Sequence, residues 1–263
     1  MSSVPLLFEE MTREALQKVA PTALAVIPVG ATEQHGPHLP AGTDVMHTEH
    51  VARAAAARIA DRTPVVVTPT LPFGCSPHHL PFGATISLSA ETLLNVLHDL
   101  GTSIAAAGFR HLFVVNGHGG NHELIALMAR DLALKLPLAV AAGSWWAIAR
   151  DTLLSNGGDQ IGRLPGHAGA FETSIVLALR PDLVREPRPH RDGPTAGGPL
   201  AFASPYRMEL PGWWQRIDGY TDSPDLGTAG AGQRFLEAGT QAVAAAMLAF
   251  VQATEHLAVQ SVQ

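Results

Sequence analysis

The 263-residue chain is predicted to form an α/β domain with a mostly parallel central sheet. Short apolar runs alternate with helical patterns along the chain, and this alternation favours a parallel sheet that is covered by helices on both faces. The run Val65–Thr68 contains no polar alternation, as expected of a strand that is buried on both faces. The length suits one domain with a substantial core, so residues 1–263 are interpreted as a single domain.

Each element has its own sequence signal. Thr12 is suited to cap a short helix within residues 8–19, and Ser89 to cap a longer helix that Gly108 ends. Apolar runs predict strands at residues 23–29, 65–68, 111–116 and 138–142. Apolar residues at helical spacing predict further helices at residues 48–60, 90–107, 123–136, 171–179 and 232–253.

Residues 185–232 are rich in Pro and Gly and show few periodic signals. Long irregular stretches in compact domains are usually functional or mobile. We therefore expect this segment to be an excursion with some short strands that covers the active site.

The composition excludes several classes of protein. A formal net charge of −6 offers no basic surface for nucleic acid or anionic lipid, and the single cysteine excludes a disulfide framework and a cysteine-based zinc site. No run approaches the roughly 18 apolar residues that a membrane span needs, and the N-terminal residues lack a signal-peptide pattern. We therefore expect a soluble cytoplasmic protein without nucleic-acid or membrane partners.

The stretch VIPVGATEQHGPHLPAGTD joins a predicted strand to a rigid loop that carries Glu33, His35, His38 and Asp44. Gly and Pro residues prevent a helix from forming through the loop. Carboxylate oxygens and imidazole nitrogens are typical ligands of divalent cations. The alternative is a polar surface loop whose histidines only form hydrogen bonds.

Two further loops favour the metal site. In open α/β sheets, ligands bind outside the carboxyl ends of the strands, so the loop with His78 and His79 and the motif NGHGGN, with His118, should share an edge with the first loop. NGHGGN is Gly-rich, but it matches neither of the common phosphate-binding motifs. The turn GHAGAFETS places His167 five residues before Glu172, although a first-turn glutamate can serve only the helix dipole.

Four residues are predicted to contact the substrate: His78, Asn121, Trp145 and Trp146. For the two tryptophans, a place in the core is the alternative. No G-x-S-x-G motif accompanies Ser174, and Cys75 has no evident activating partner, so neither residue is a candidate nucleophile.

Four ordered motifs resemble the creatininase (creatinine amidohydrolase) family, in particular its NGHGGN-type branch. They are TEQHGPHLPAGTD, NGHGGN, HAGAFETS and DSPDLGTAGAGQRFLEA, and they span about residues 26–238. The resemblance implies a three-layer α/β/α fold, two divalent metal ions and a hexamer built from dimers. It implies metal ligation by Glu33, His35, His118 and a bridging Asp44.

The resemblance also implies differences from creatininase itself, which takes a further carboxylate ligand at the position of Gly120. We predict that Glu172 replaces that ligand and takes part in catalysis, and that His167 matches the catalytic histidine. Ala170 replaces the glutamate of the common HAGE form, and the late motif lacks the usual GDP, so the substrate stays open.

The predicted function is that of a metal-dependent amidohydrolase. It would cleave the carbon–nitrogen bond of a small cyclic or linear amide, other than a peptide bond, with a hydroxide held between two ions. Zn²⁺ is the expected metal, with Mn²⁺ or Fe²⁺ as alternatives, and His167 would pass a proton to the leaving nitrogen. Two alternatives remain: a deformylase or short-peptide-releasing peptidase of a cofactor pathway, and a non-catalytic binder of metal or small molecules.

Overall fold

The computed structural model describes residues 5–192 and 208–254. Within these residues, one sheet contains five strands that are all parallel, in the order β1-β3-β2-β4-β5. The strands are β1 (Leu6–Leu7), β2 (Leu24–Val29), β3 (Val65–Val67), β4 (His111–Asn116) and β5 (Ala139–Ser144). The predicted α/β class is therefore confirmed.

Helices connect the strands and cover both faces of the sheet. In the described ranges they are α1 (Arg13–Val19), α2 (Thr43–Ile59), α3 (Ala90–Ala106), α4 (His122–Lys135), α5 (Trp145–Ile148), α6 (Arg150–Ser155), α7 (Ala170–Leu179), α8 (Trp213–Arg216) and α9 (Ala229–Thr254). Short 3₁₀ segments include Pro77–Phe82, between β3 and α3.

Alternate residues of each strand enter two separate cores, because successive side chains of a strand point to opposite faces. Leu24 and Val26 of β2 pack in a core with residues of α2, α7 and α9. Ala25 and Ile27 pack in the other core with residues of α3 and α4. Both faces of the strand are apolar, and the predicted three-layer α/β/α arrangement follows from this.

The predicted helix caps are present, but one predicted helix start is wrong. The Thr12 hydroxyl accepts a hydrogen bond from the Ala15 N–H, and the Ser89 hydroxyl from the Thr92 N–H. Helix α2, however, begins at Thr43 and not at residue 48. The hydroxyl of Thr48 donates to the backbone carbonyl of Asp44 in the preceding turn, so it is an interior residue and not a cap.

Helix α9 has the length and apolar composition of a membrane span, contrary to the sequence expectation that no segment approaches this limit. The helix nevertheless packs against α2 and α7 and buries Phe235, Val243 and Met247 in the core. The core helix of a globular domain has the same composition, so the composition of α9 carries no argument for a membrane.

The described part of residues 185–232 contains no strand, whereas short strands are predicted there. It contains α8 and a 3₁₀ turn at Pro224–Leu226, and residues 193–207 lie outside the described ranges. Helix α8 packs against the 3₁₀ segment Pro77–Phe82. This contact brings Trp213 and Trp214 to the cavity described below.

Candidate metal centre

The predicted metal ligands converge beyond the carboxyl ends of β2 and β4. Glu33 and His35 lie on the loop after β2, Asp44 in the first turn of α2, and Glu172 in the first turn of α7. The loop passes close to α2, since a Cβ on Gly30 would lie 2.9 Å from the backbone of Val45. The ligand candidates are all buried: Glu33, His35, Asp44, His118 and Glu172.

Asp44 lies between two groups of side chains. Its Oδ1 is 3.2 Å from Nε2 of His35, and its Oδ2 is 3.0 Å from Nδ1 of His118. Oε1 of Glu33 is 3.2 Å from the same Nδ1 of His118, and Oε2 of Glu172 is 3.6 Å from Nε2 of His35. The two Asp44 oxygens therefore face different partners, as the carboxylate of a bridging ligand would.

Hydrogen bonds orient both candidate histidine ligands. Nδ1 of His35 lies 3.1 Å from the carbonyl oxygen of Glu33, and Nε2 of His118 lies 3.1 Å from the carbonyl oxygen of Cys75. Because a carbonyl only accepts, these ring nitrogens carry the protons and donate. The opposite nitrogens are directed at the carboxylates, which is the arrangement that backbone carbonyls impose on metal-ligating histidines.

Several of these buried atoms lack a hydrogen-bond partner among the described residues. They are both carboxylate oxygens of Glu33 and Nε2 of His35. An unsatisfied buried charge costs considerably more than an ordinary unmade hydrogen bond. Ligand atoms of Glu33, His35 and Asp44 lie within 4.8 Å of one another. This donor set fits divalent metal ions, which would satisfy these atoms together.

The charges of the cluster shift the pKa values of its members in the metal-free protein. Burial lowers the pKa of His35, but the carboxylates of Asp44 and Glu172 outweigh burial and raise it to about 10. Burial raises the pKa of Glu172 to about 8 despite the opposing effect of His35. Burial, with His79 and His35 nearby, holds the pKa of His167 well below its usual range. His167 is therefore a neutral base in a cluster of charged groups.

Gln34 determines which nitrogen of His167 is basic. The N–H of Gly36 donates to one atom of the Gln34 side-chain amide at 2.9 Å, which identifies that atom as the oxygen, Oε1. The amide nitrogen, Nε2, lies 2.9 Å from Nδ1 of His79 and 2.9 Å from the carbonyl oxygen of Gly219. Nε2 of His167 lies 3.1 Å from this amide nitrogen and 3.0 Å from the backbone carbonyl of Gln34. Because the two amide hydrogens are directed at His79 and Gly219, and because a carbonyl only accepts, Nε2 of His167 is assigned as the donor to the Gln34 carbonyl. Nδ1 therefore carries the lone pair, and it lies 3.5 Å from Oε1 of Glu33.

A cavity of about 270 Å³ opens over the cluster. Its floor contains Glu33, Asp44, His118, His167 and Glu172. Its wall contains His78, Trp146, Arg163, Leu164, Pro165, Trp213 and Trp214. Ring centroids of Trp214 lie 4.6 Å from His79 and 5.3 Å from His167, so α8 contributes an aromatic wall directly beside the predicted catalytic histidine.

Of the ten predicted site residues, six lie in one cluster, two line the cavity above it and two lie outside both. His78 and Trp146 line the cavity above this cluster. Trp145 and Asn121 are fully buried and are not among the described residues that line the cavity. Trp145 donates its indole N–H to Nδ1 of His47 at 3.0 Å, and Asn121 accepts from the Cys75 N–H at 2.9 Å. Both therefore support the site from behind the cavity lining, and their contact with substrate stays a prediction.

Sequence reasoning placed His79 at this edge without a specific role and said nothing of a site role for His47, Trp213 or Trp214. Nε2 of His47 is 3.4 Å from Oδ1 of Asp44, and its Nδ1 accepts from Trp145, so Nε2 carries a hydrogen that points toward the Asp44 carboxylate. The i, i+3 spacing of Asp44 and His47 on a helix could have indicated this contact. No local sequence signal relates the tryptophans of α8 to the site.

Gly120 has no space for a side chain. A Cβ at this position would lie 2.1 Å from the carbonyl oxygen of Cys75 and 2.6 Å from Nε2 of His118. A carboxylate ligand at residue 120 would require the loop and His118 to move. The carboxylate of Glu172 faces the cluster from α7 instead, with Oε2 accepting from the Ala168 N–H at 2.6 Å.

Comparisons with known proteins agree with this fold and cluster. The family profile of creatininase, described as creatinine amidohydrolase, matches residues 9–247. A "Mycofactocin precursor peptide peptidase" of Mycobacterium tuberculosis (strain CDC 1551 / Oshkosh) is 34% identical over 241 residues, which cover 89% of this chain and 88% of that protein. A "Creatinine amidohydrolase" of Pseudomonas putida is 34% identical over 176 residues, covering 60% and 65% respectively.

Solved structures of creatininase are similar along most of the chain. The structure named "Creatininase Mn" superposes with a TM-score of 0.76 at 28% identity and covers 92% of this chain and 97% of that one. A mutant creatininase whose structure is named as "Zn-Zn type" has a TM-score of 0.73 at 29% identity, with coverage of 93% and 98%. The buried Glu, His and Asp cluster of this chain suits a binuclear site of the kind that these names describe.

Proposed function

The chain belongs to the creatininase family, and from this premise we propose that it is a metal-dependent hydrolase that cleaves an amide bond of a short peptide. The observation that carries the proposal is the buried cluster around Asp44, in which the Glu33 carboxylate and Nε2 of His35 have no hydrogen-bond partner among the described residues. Divalent ions would satisfy these buried atoms together, in addition to the ion-pair contacts of Glu33 with His118 and of His35 with Asp44.

Two sets of ligands are available around the Asp44 carboxylate. Glu33 and His118 would hold one divalent ion, and His35 and Glu172 would hold the other. Bound ions would lower the pKa of a water molecule and polarise the scissile carbonyl. Zn²⁺ remains the expected metal, and Mn²⁺ or Fe²⁺ also suits this ligand set.

His167 is suited to the proton transfer that amide cleavage requires. It is neutral and buried, and the Gln34 carbonyl fixes its tautomer so that the basic Nδ1 lies beside Glu33. It would accept a proton at Nδ1 and donate it to the leaving nitrogen, a step that typically contributes roughly 10²- to 10⁴-fold. Trp146, Trp213 and Trp214 would exclude bulk water from this step.

Two observations support a peptide substrate over the ring amide that the main sequence prediction allows. The similarity to peptidases covers a larger share of both chains than the similarity to the Pseudomonas putida enzyme. Gly120 also lacks the carboxylate that the resemblance gives to creatininase itself, and no space exists for one. We therefore favour the peptide-releasing alternative, and we retain a homo-oligomer in the cytoplasm as the expected form.

Elemental analysis and peptide cleavage together test the proposal. We expect the purified wild type to bind about two metal equivalents and to cleave short peptides in a chelator-sensitive manner, as followed by mass spectrometry. Asp44→Asn should lose metal and activity, and His167→Ala should retain metal and lose turnover. Asp99→Asn, at an exposed position on α3, is the matched control.

Three outcomes would overturn parts of this proposal. Wild type that takes up no more than one equivalent from excess Zn²⁺ or Mn²⁺ would refute the binuclear centre. Metal-loaded protein that cleaves neither peptides nor formyl groups nor small amides would be a binding protein and not an enzyme. Loss of metal from His167→Ala would show that His167 is a metal ligand. This comparison is informative because Nδ1 of His167 lies only 3.5 Å from Oε1 of Glu33.

A further inference from the structure

His79 lies in the cavity directly beside His167, and the proposed function gives it no task. It belongs to the 3₁₀ segment Pro77–Phe82, it is buried, and it is one of the residues that line the cavity. Its ring is stacked on the ring of His167, with the two centroids 4.2 Å apart and an angle of 18° between the ring planes. A second histidine is therefore packed against the proposed acid–base residue.

The two stacked rings direct a nitrogen at the same carboxylate oxygen. Nδ1 of His167 lies 3.5 Å from Oε1 of Glu33, and Nε2 of His79 lies 3.7 Å from that oxygen. A separation of 3.7 Å is too long for a hydrogen bond. Oε1 of Glu33 accordingly has no hydrogen-bond partner among the described residues. Nε2 of His79 thus lies next to the proposed ligand cluster without being bonded to Glu33.

The side-chain amide of Gln34 assigns the tautomer of His79. The amide nitrogen lies 2.9 Å from Nδ1 of His79, and because an amide N–H only donates, this Nδ1 accepts. The N–H of the neutral His79 ring is then at Nε2. His167 has the opposite arrangement, with its N–H directed at the Gln34 carbonyl and its lone pair at Nδ1. Beside Glu33, the cavity therefore offers one basic nitrogen and one N–H donor.

Cleavage of an amide requires these two functions at two different atoms. The carbonyl oxygen becomes negatively charged in the tetrahedral intermediate, and a donor that is already oriented toward it stabilises this charge. The leaving nitrogen must gain a proton, and the proposed function assigns this transfer to His167. The fixed N–H of His79 suits the oxygen, because a hydrogen bond needs no transfer of its proton.

We propose that His79 donates a hydrogen bond from Nε2 to the carbonyl oxygen of the scissile amide as that oxygen becomes negatively charged. This inference rests on the proposed function. His79 keeps its proton throughout the reaction, whereas His167 accepts one proton and passes it on. The two stacked histidines therefore act on opposite sides of the amide group, one on its oxygen and one on its nitrogen.

The test compares His79→Leu with His79→Gln in metal-loaded, full-length protein. Leucine is close to histidine in size and has no donor, whereas glutamine can place an amide N–H near the position of Nε2. We expect His79→Leu to lower kcat for peptide cleavage by about 10²- to 10³-fold and to leave KM within about threefold, because the contact forms only in the transition state. His79→Gln should recover about tenfold of this loss. His50→Gln, at an exposed position on α2, is the matched control and should cleave peptides as wild type does.

Two further measurements do not depend on turnover. Elemental analysis should give the same metal content for wild type and both His79 variants, since His79 is not among the proposed ligands. The second measurement is the binding of a phosphinic peptide, in which a tetrahedral phosphorus that carries two oxygens replaces the scissile amide. His79→Leu should bind this analogue about 10²-fold more weakly than wild type, and His79→Gln should bind it with an intermediate affinity.

The opposite results would overturn the inference. An unchanged kcat in His79→Leu would show that the N–H contributes nothing to the reaction. Loss of metal from both variants would make His79 a ligand or a support of the ligands. Equal kcat values for the two variants, or unchanged binding of the phosphinic peptide, would reduce His79 to a packing partner of His167. If His79→Leu does not fold, His79→Asn replaces it, because the shorter amide does not reach the position of Nε2.

The wild type separates this inference from the proposed function. Wild type that cleaves no peptide and binds no phosphinic peptide would refute the proposed function, and the inference would fall with it. Wild type that cleaves peptides, together with a His79→Leu variant of equal kcat, would leave the proposed function intact and refute the role of His79 alone.

Discussion

The substitution Glu172→Gln tests how strongly the buried cluster disfavours an ionised Glu172. The measurement is the pH dependence of stability in the metal-free protein. The carboxyl group of Glu172 is buried, and its pKa is raised from an ordinary 4.5 to about 8. This difference corresponds to roughly 5 kcal/mol at 1.36 kcal/mol for each pH unit. The folded protein therefore disfavours ionised Glu172.

The direction of the effect follows from proton binding in the two states. Below about pH 4.5, Glu172 is protonated in both the folded protein and the unfolded chain. Between pH 4.5 and about 8, the unfolded chain releases this proton while the folded protein keeps it, so stability falls as pH rises. Glutamine cannot ionise and lacks this loss. His35, whose pKa is about 10, stays protonated throughout this range.

Urea unfolding in chelator at pH 6 and pH 8 measures the effect. The quantity compared is the free energy of unfolding of Glu172→Gln minus that of wild type. This difference should be larger at pH 8 than at pH 6 by roughly 2 kcal/mol. Saturating metal should reverse the order, because metal stabilises the folded state of wild type by mass action and the variant lacks one ligand.

Glu91→Gln is the matched control, since Glu91 is an exposed carboxylate in the first turn of α3. Its free energy of unfolding should stay within about 0.5 kcal/mol of wild type at both pH values. A difference between Glu172→Gln and wild type that does not change with pH would refute the raised pKa. Equal stabilisation of both proteins by metal would refute Glu172 as a ligand.

Three further substitutions or measurements extend the same reasoning. Gly120→Ala should lower metal content by elemental analysis, because its Cβ would lie 2.1 Å from the carbonyl of Cys75, and full occupancy would contradict the steric account. Gly232→Ala should cost about 1–3 kcal/mol in urea unfolding, since its Cβ would lie 1.9 Å from a backbone oxygen of α7. Gly230→Ala should not destabilise α9, since its Cβ would lie 3.9 Å from the Arg234 side chain, an ordinary contact. Metal uptake in weakly buffered solution should release at least one proton per chain at pH 7, because His35 must lose its proton to become a ligand. Metal affinity should therefore rise with pH. Uptake without proton release would exclude His35 as a ligand.

The central strands were predictable because each is a short apolar run, as expected of a strand that is buried on both faces. The sequence HLFVVN has no polar alternation, and β4 occupies residues His111–Asn116 as predicted. Strand β1 was missed because two residues provide no periodic signal. The start of α2 was misplaced because the Ala-rich run begins only after Thr48, whereas the helix already begins at Thr43, within the loop that carries Asp44.

The site was predictable as far as chain topology determines it. Parallel strands place their carboxyl ends at one edge, so Glu33, His35 and His118 could be grouped without coordinates. The cavity wall depends instead on how α8 docks against the 3₁₀ segment Pro77–Phe82, and this is decided by tertiary packing. The buried positions of Trp145 and Asn121 also depend on packing partners that neither residue type nor spacing indicates.

A ligand role for Glu172 would affect the whole candidate site. A carboxylate at residue 120 would be part of the same loop as His118, whereas Glu172 belongs to the turn that also carries His167. Oε2 of Glu172 accepts from the N–H of Ala168, the residue next to His167. Metal ligation by Glu172 would thus stabilise the turn that carries His167, the proposed acid–base residue. The proposed ligand would connect metal loading with proton transfer through one short segment, because it comes from α7 and not from the loop after β4.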